Sequence, residues 1–279
     1  MSTNFRAQLV NHLSLALLAV LVNHLLHESS HALAAGLVGA RVTLFNFFAV
    51  DHAWPGAASA VGDLLIASNA ALVNIAVMFW CVALFATAWA KQRPAVRLFI
   101  MYLGAYSLLT GFGYLMIDPL FYQPGDMLGD WKQVVGYFGG GWGVRLPIAL
   151  IGAAGVLACF FWLPSAALTF CPDTRNRAER TRLMLTLLLL PYFVISTLYL
   201  ILSFWHPVGP QGVFIIISQY WIGHSPFVWS FFIAAYWKKV REPRRDVMPL
   251  SPEPRWTWLM ATVAAYALAV GVLLPSLRF

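Results

Sequence analysis

Seven apolar stretches of about twenty residues recur along this chain, and they constrain its fold more than any other feature. A helix of about that length crosses the roughly 30 Å hydrocarbon core of a bilayer. Because 60% of the 279 residues are hydrophobic and only 10% are charged, there are too few charges to cover a water-soluble globule of this size. The sequence predicts an all-α membrane protein, a polytopic helical bundle of about seven transmembrane spans.

The connections between the spans differ in kind. Lys91-Gln92-Arg93-Pro94 is a basic turn whose proline stops the helix, so the second and third spans should form an antiparallel pair. Residues 41–48 alternate and are partly β-branched, which predicts a short strand or β-hairpin after the first span. Residues 118–143 are rich in Gly, Pro, Asp and Trp and predict irregular backbone. The predicted spans are Leu9–Val38, Leu64–Ala90, Val96–Ile117, Val144–Phe170, Leu183–Phe204, Val213–Trp237 and Trp256–Leu274.

The net charge of +7 comes from basic residues in the short loops between spans, which suits lipid headgroups and not nucleic acid. Of the 18 Lys and Arg residues, 14 lie on the side of the N-terminus. The other four are Arg41, Lys132, Arg145 and Arg278. The positive-inside rule then predicts a cytoplasmic N-terminus. We expect an integral protein of the plasma membrane, such as the bacterial inner membrane.

The first predicted span contains the sequence His27-Glu28-Ser29-Ser30-His31. Residues four apart lie on one face of a helix, so His27 and His31 can offer two imidazoles to one metal ion. Glu28 beside them can polarise a water molecule at that metal. Zinc favours such ligands and catalyses hydrolysis. The pattern fixes only three positions, but ionisable residues inside a membrane span are costly and usually functional, so we predict half of a zinc site.

Three further histidines lie apart from this motif. His24, one turn before His27, is either a partner that orients the metal ligands or a hydrogen-bonded histidine in the same polar cavity. His206 and His224 show no metal-ligand spacing, so we predict core or interfacial positions for both.

The motif and its surroundings resemble the first signature of the site-2 protease family of intramembrane zinc metalloproteases, in which the helix also ends at a glycine before a short strand. The residues that carry the resemblance are His27-Glu28-x-x-His31-Ala32-x-x-Ala35-x-x-x-Gly39, followed by Arg41-Val42. A later helix of that family carries an Asn-containing stretch of small residues, and Ser68 to Asn74 is similar in kind. The resemblance implies that Asn69 and Asn74 line the site; the alternative is a polar patch between helices.

The third zinc ligand of the family is an aspartate, usually in Leu-Asp-Gly at the start of a helix. This sequence has no Leu-Asp-Gly, but it has Gly-Asp-Trp at residues 129–131, just after the third span. Some family members carry that variant, so the resemblance implies Asp130 as the ligand, with Asp126 as the second choice and Asp118 as the third. Each could instead be an exposed loop carboxylate.

The resemblance covers about residues 9 to 135 and implies an intramembrane zinc metalloprotease. It would hydrolyse a peptide bond in or near a transmembrane segment of a membrane-protein substrate, with Glu28 as the group that transfers protons. Residues 1–140 would form the protease-like core, and residues 141–279 would add transmembrane helices. The alternative is a non-catalytic, protease-derived subunit or scaffold with partners in a larger membrane complex. A transporter would call for two related halves, and the sequence shows no internal repeat.

Overall fold

The computed structural model describes residues 3–125, 129–236 and 253–279. In chain order, its elements are α1 (Thr3–Leu37), β1 (Arg41–Phe45), β2 (Val50–Ala53), α2 (Ala60–Phe85), α3 (Ala88–Lys91), α4 (Pro94–Leu120), α5 (Asp130–Tyr137), α6 (Trp142–Leu168), α7 (Arg177–Met184), a π-helical segment (Leu185–Leu189), α8 (Leu190–Leu202), a 3-10 turn (Ser203–Trp205), α9 (Pro210–Ile216), a second π-helical segment (Ile217–Gly223), α10 (Pro226–Tyr236), α11 (Trp256–Leu273) and β3 (Leu277–Arg278).

The structure confirms an integral membrane protein built as a helical bundle. In the described part of the chain, six helices are long and apolar enough to cross a membrane. They are Phe5–Leu37, Ala60–Phe85, Pro94–Leu120, Trp142–Leu168, Arg177–Trp205 and Trp256–Leu273. Each overlaps a predicted span, which leaves only the predicted span at Val213–Trp237 without a continuous helix.

That segment is a broken helix. α9 continues into the π-helical segment Ile217–Gly223, and α10 begins after a turn at His224 and Ser225. Pro226 opens α10, where its missing N–H would have had no helical partner in any case. Trp237, the predicted end of this span, lies outside the described residues.

Contacts at its two ends show that the broken helix runs the length of the bundle. Gly212, near its start, packs against His206, which follows the 3-10 turn at the end of the α7–α8 span. At its other end, the carbonyl of Ala235 accepts hydrogen bonds of 3.1 and 3.0 Å from Arg180, near the start of that span. The broken helix therefore lies antiparallel to α7–α8 and provides the seventh traverse of the bundle.

A small antiparallel sheet caps the end of the bundle at which α1 finishes. Its strand order is β2-β1-β3, so the predicted hairpin is present, with a third strand that the sequence did not reveal. Asn46, in the hairpin turn, donates hydrogen bonds to the carbonyl of Leu274 (2.9 Å) and to Ser276 Oγ (2.8 Å). These bonds fix the end of α11 on the hairpin.

The centre of the bundle is formed by α1 and α4. The most apolar stretch of α4 is 78% buried, against 61% for α1 and 11% for α11. Gly152 lets α6 approach α4 closely, because a Cβ atom at Gly152 would lie 2.3 Å from the backbone nitrogen of Met116. Side chains on the inner faces of α1 and α4 are therefore shielded from lipid. The domain division near residue 140 stays a prediction, and α6 packs directly on α4 across it.

Candidate metal centre

Polar side chains are buried along the C-terminal half of α1, in the interior of the bundle. They are Asn23, His24, His27, Glu28, Ser30 and His31. Burying a polar group is costly unless it finds a partner, so each of these side chains calls for one. α2, α4 and α5 surround this half of α1 and supply most of the partners.

The structure brings His27, His31 and Asp130 together at the start of α5. Asp130 Oδ2 lies 3.2 Å from His27 Nε2 and 3.3 Å from His31 Nε2. One potential ligand atom from each residue lies within 4.8 Å of the other two, so the group could bind a metal ion. The two histidines come from one helix and the aspartate from residues about a hundred positions later, as the motif and the resemblance predicted.

One oxygen atom of the Asp130 carboxylate supports a metal site over a simple ion pair. Asp130 Oδ2 is buried and has no hydrogen-bond partner among the described residues, although two ring nitrogens lie close to it. A buried carboxylate oxygen without a partner is costly, and a cation held between the three atoms would satisfy it. Burial raises the pKa of Asp130, but the attraction of His31 and His27 outweighs burial and holds that pKa below its ordinary value. A carboxylate has to be ionised to bind a metal ion, and this direction favours that form.

Each of the two histidines is oriented by a different neighbouring helix. His31 Nδ1 lies 2.9 Å from the carbonyl oxygen of Ile66 on α2, to which only a protonated Nδ1 can donate. When the ring is neutral, that bond leaves Nε2, on the side of Asp130, able to bind a metal ion. The His27 ring instead stacks on Tyr114 of α4, with 5.3 Å between centroids and 16° between planes. His27 Nδ1 has no hydrogen-bond partner in the described part of the chain.

Asp118 holds the helix that carries Asp130, the third member of the group. Its Oδ2 accepts a hydrogen bond of 2.9 Å from the backbone N–H of Trp131, in the first turn of α5. Gly129, just before α5, has φ +113°, a conformation that favours glycine, and a Cβ atom there would lie 2.9 Å from Asp118 Oδ2. Asp118, the third-choice ligand, thus positions Asp130 and stands outside the ligand group. Asp126, the second choice, lies outside the described residues.

Glu28 lies beside the ligands with a free carboxylate. It is 6% exposed and close enough to His27, His31 and Asp130 to interact with them electrostatically. It makes no hydrogen bond to the residues that the structure describes. A carboxylate held next to a potential metal site, with no other partner, can accept a proton from a water molecule.

The remaining predicted residues connect α1 to its neighbours. His24 Nε2 donates to the carbonyl of Phe47 at 2.6 Å, and His24 Nδ1 accepts from the Tyr220 hydroxyl at 3.2 Å. His24 is therefore a hydrogen-bonded histidine of the polar interior, and its bonds lead away from the three ligands. The other two predicted residues bond α2 to α1: Asn69 Nδ2 donates to the carbonyl of Ser30 at 2.8 Å, and Asn74 Nδ2 donates to Asn23 Oδ1 at 3.0 Å.

Sequence reasoning missed the contribution of α4, although a signal was present. Tyr102, Tyr106, Thr110, Tyr114 and Asp118 recur at every fourth residue, a spacing that places them in a stripe that winds slowly around the helix. Part of this stripe lies against α1: Thr110 accepts a hydrogen bond of 3.1 Å from Asn23, and Tyr114 stacks on His27. A polar stripe at helical spacing, in a span that is otherwise apolar, indicates a functional interior.

The chain was compared with models of known families, with curated proteins and with solved structures. None of the three comparisons gives a match. The resemblance to site-2 proteases therefore stays a prediction, and the metal centre has to be interpreted from its own geometry.

Proposed function

We propose that this protein is an intramembrane zinc metalloprotease that hydrolyses a peptide bond in or near a transmembrane segment of a membrane-protein substrate. The observation that carries the proposal is the convergence of His27, His31 and Asp130 on one point, with the free carboxylate of Glu28 beside them. The site lies inside a bundle of membrane-spanning helices, so a membrane protein is the substrate with the most direct access.

The distances within the group support zinc. Ligand atoms held at about 2.0–2.2 Å from a tetrahedral zinc ion lie roughly 3.3–3.5 Å apart. The two contacts of Asp130 Oδ2, at 3.2 and 3.3 Å, are close to that spacing before any ion is added. Three protein ligands are also the usual number in catalytic zinc sites, which keep a fourth position open.

The chain's own residues supply the proton transfers. When bound, zinc supplies Lewis acidity that polarises the scissile carbonyl and lowers the pKa of water to about 7. Glu28 accepts a proton from the attacking water as the new carbon–oxygen bond forms. Glu28 then donates that proton to the leaving amine as the carbon–nitrogen bond breaks. A helical substrate has to unwind locally, because its carbonyls are otherwise engaged in helix hydrogen bonds.

The charge distribution supports an orientation for this site. With 14 of 18 basic residues on the side of the N-terminus, we place that terminus in the cytoplasm of a cell with a bacterial-type inner membrane. The ligands lie in the half of α1 away from the N-terminus, so the charge rule places the site in the outer half of the membrane. The family resemblance implies a site nearer the cytoplasm, and a labelling experiment separates the two.

The test is the zinc content of the purified protein in lipid nanodiscs, measured for the wild type, His27→Ala and Asp130→Ala. We expect about one zinc per wild-type chain and a loss in both variants. His52→Ala is the matched control, because His52 pairs with Asp63 outside the ligand group, at 2.8 Å. If neither the wild type nor His27→Ala binds zinc, the proposal fails. Zinc binding without Glu28-dependent cleavage would favour the non-catalytic scaffold instead.

A further inference from the structure

A second pair of polar side chains lies against the metal centre. Tyr114, whose ring stacks on His27, donates a hydrogen bond of 3.2 Å from its hydroxyl to Gln219 Oε1. Gln219 belongs to the π-helical segment of the broken helix, and π-helical turns are frequent at functional sites. The pair thus joins α4 to the broken helix immediately beside a metal ligand.

This pair differs from the polar groups behind it in its accessibility. His24, Tyr220 and His224 are each at most 4% exposed and belong to the packed interior. Tyr114 and Gln219 are less completely buried than these three. Lipid tails offer no hydrogen bonds, so polar residues that stay partly exposed at this depth are expected to border a cavity or a bound molecule.

The free atoms of the pair match the backbone of an extended peptide. The side-chain amide nitrogen of Gln219 donates no hydrogen bond to the described residues, so it can donate to a carbonyl. The Tyr114 hydroxyl oxygen and Gln219 Oε1 can each accept from a backbone N–H. A transmembrane helix that unwinds for cleavage exposes such N–H and C=O groups, and they are costly in the membrane unless they are paired.

We propose that Tyr114 and Gln219 bind the unwound backbone of a substrate's transmembrane segment beside the metal ligands. The inference rests on the proposed function for its substrate class. In this arrangement, the Tyr114–Gln219 hydrogen bond closes the empty site and is exchanged for hydrogen bonds to the peptide. The pair thereby selects segments that unwind easily over segments that stay helical.

The experiment measures peptide binding by the full chain in nanodiscs after zinc has been removed with a chelator. The probe is a fluorescent peptide of about twenty leucine and alanine residues with a central Gly-Pro pair, which weakens its helix. An uninterrupted Leu/Ala peptide is the comparison probe. The variants are Gln219→Leu and Tyr114→Phe, the second of which keeps the ring on His27. Gln211→Leu is the control, since Gln211 is an exposed glutamine on α9 of the same broken helix.

We expect the wild type to bind the Gly-Pro probe more tightly than the uninterrupted one, and each variant to bind the Gly-Pro probe about tenfold more weakly. Gln211→Leu should bind like the wild type, and reloaded zinc content should be unchanged throughout. If the wild type shows no preference, or if both variants keep wild-type affinity, the inference is overturned.

The same preparations separate this inference from the proposed function. A chain that binds no zinc but shows the expected peptide affinities would retain the inference for a peptide-binding membrane protein. A chain with zinc and Glu28-dependent cleavage, but with peptide affinities insensitive to both variants, would retain the protease and lose the inference.

Discussion

The carboxylate of Asp118 accepts a hydrogen bond of 2.9 Å from the backbone N–H of Trp131, and this bond ties the end of α4 to the first turn of α5. Because Asp130 precedes Trp131, the same bond holds Asp130, the proposed third ligand, in place. We predict that Asp118→Ala lowers zinc affinity about 10–100-fold, whereas Asp118→Asn, which can still accept the bond, keeps most of it. Competition with a chelating dye measures both, with the exposed Asp173→Ala as control. Wild-type affinity in Asp118→Ala would contradict the prediction.

Glu28→Gln should separate metal binding from chemistry. The amide has nearly the shape of the carboxylate but cannot accept the proton from water. We expect a normal zinc content and a rate of peptide cleavage that falls about 10²–10⁴-fold. Glu179→Gln, in α7 at the opposite end of the bundle, is the matched control. Cleavage at the wild-type rate in Glu28→Gln would exclude this glutamate as the base.

Gly152→Ala should destabilise the contact between α4 and α6. The added Cβ would lie 2.3 Å from the backbone nitrogen of Met116, and backbone cannot move aside as a flexible side chain can. We expect a loss of about 1–3 kcal/mol in the free energy of unfolding, measured by denaturation in detergent. Gly143→Ala lies in the same helix with nothing within 4 Å of the new methyl group, so it should be neutral or stabilising.

We predict that the free energy of unfolding depends on pH through His206, which lies against the hairpin. Its ring stacks on Phe48, and burial lowers its pKa from 6.5 to about 4. The unfolded chain then binds the proton at a higher pH than the folded chain does, so stability falls as pH decreases from 6.5 toward about 4. His206→Asn keeps a side-chain acceptor but cannot titrate. Thermal unfolding across this range should show a smaller acid-induced loss in His206→Asn; equal losses would exclude His206 as the cause.

Cysteine labelling should fix the orientation of the bundle. The three native cysteines are buried, so a polar maleimide will react first with a new exposed one. Asp51→Cys, on the sheet side, should be labelled in intact cells, and Gln92→Cys, at the opposite end, only after permeabilisation. The reverse pattern would place the metal centre toward the cytoplasm, as the family resemblance implies.

Sequence periodicity predicted the features that depend on local pattern. Apolar stretches predicted the spans, and the four-residue spacing predicted that the two histidines share a helix face. Both patterns are properties of a single helix. The prediction of Asp130 as a ligand rested only on a resemblance, since nothing local distinguishes it from other loop aspartates. Its position beside the histidines depends on Asp118 and Gly129, which fix the start of α5.

Features that arise from the packing of distant segments were missed. Hydropathy averages over a window, so the stretch from Val213 to Trp237 was predicted as one continuous helix despite Pro226. The sequence alone predicts no partner for Gln219, because Tyr114, to which it is hydrogen-bonded, lies on another helix. The pairing of β3 with β1 leaves no trace in local periodicity, because each strand is too short to reveal its partner.

The hydrogen bond between Asn46 and Ser276, next to the sheet, also implies an order of assembly during synthesis. Those two residues are 230 positions apart, whereas His27, His31 and Asp130 have all left the ribosome soon after Asp130 is added. A nascent chain can therefore bring these three residues together while β1 still has an open edge, and that edge is closed only when Leu277 arrives. Under the proposed function, zinc can bind before this last step of folding, and cells starved of zinc would accumulate the protein with its sheet closed but without zinc.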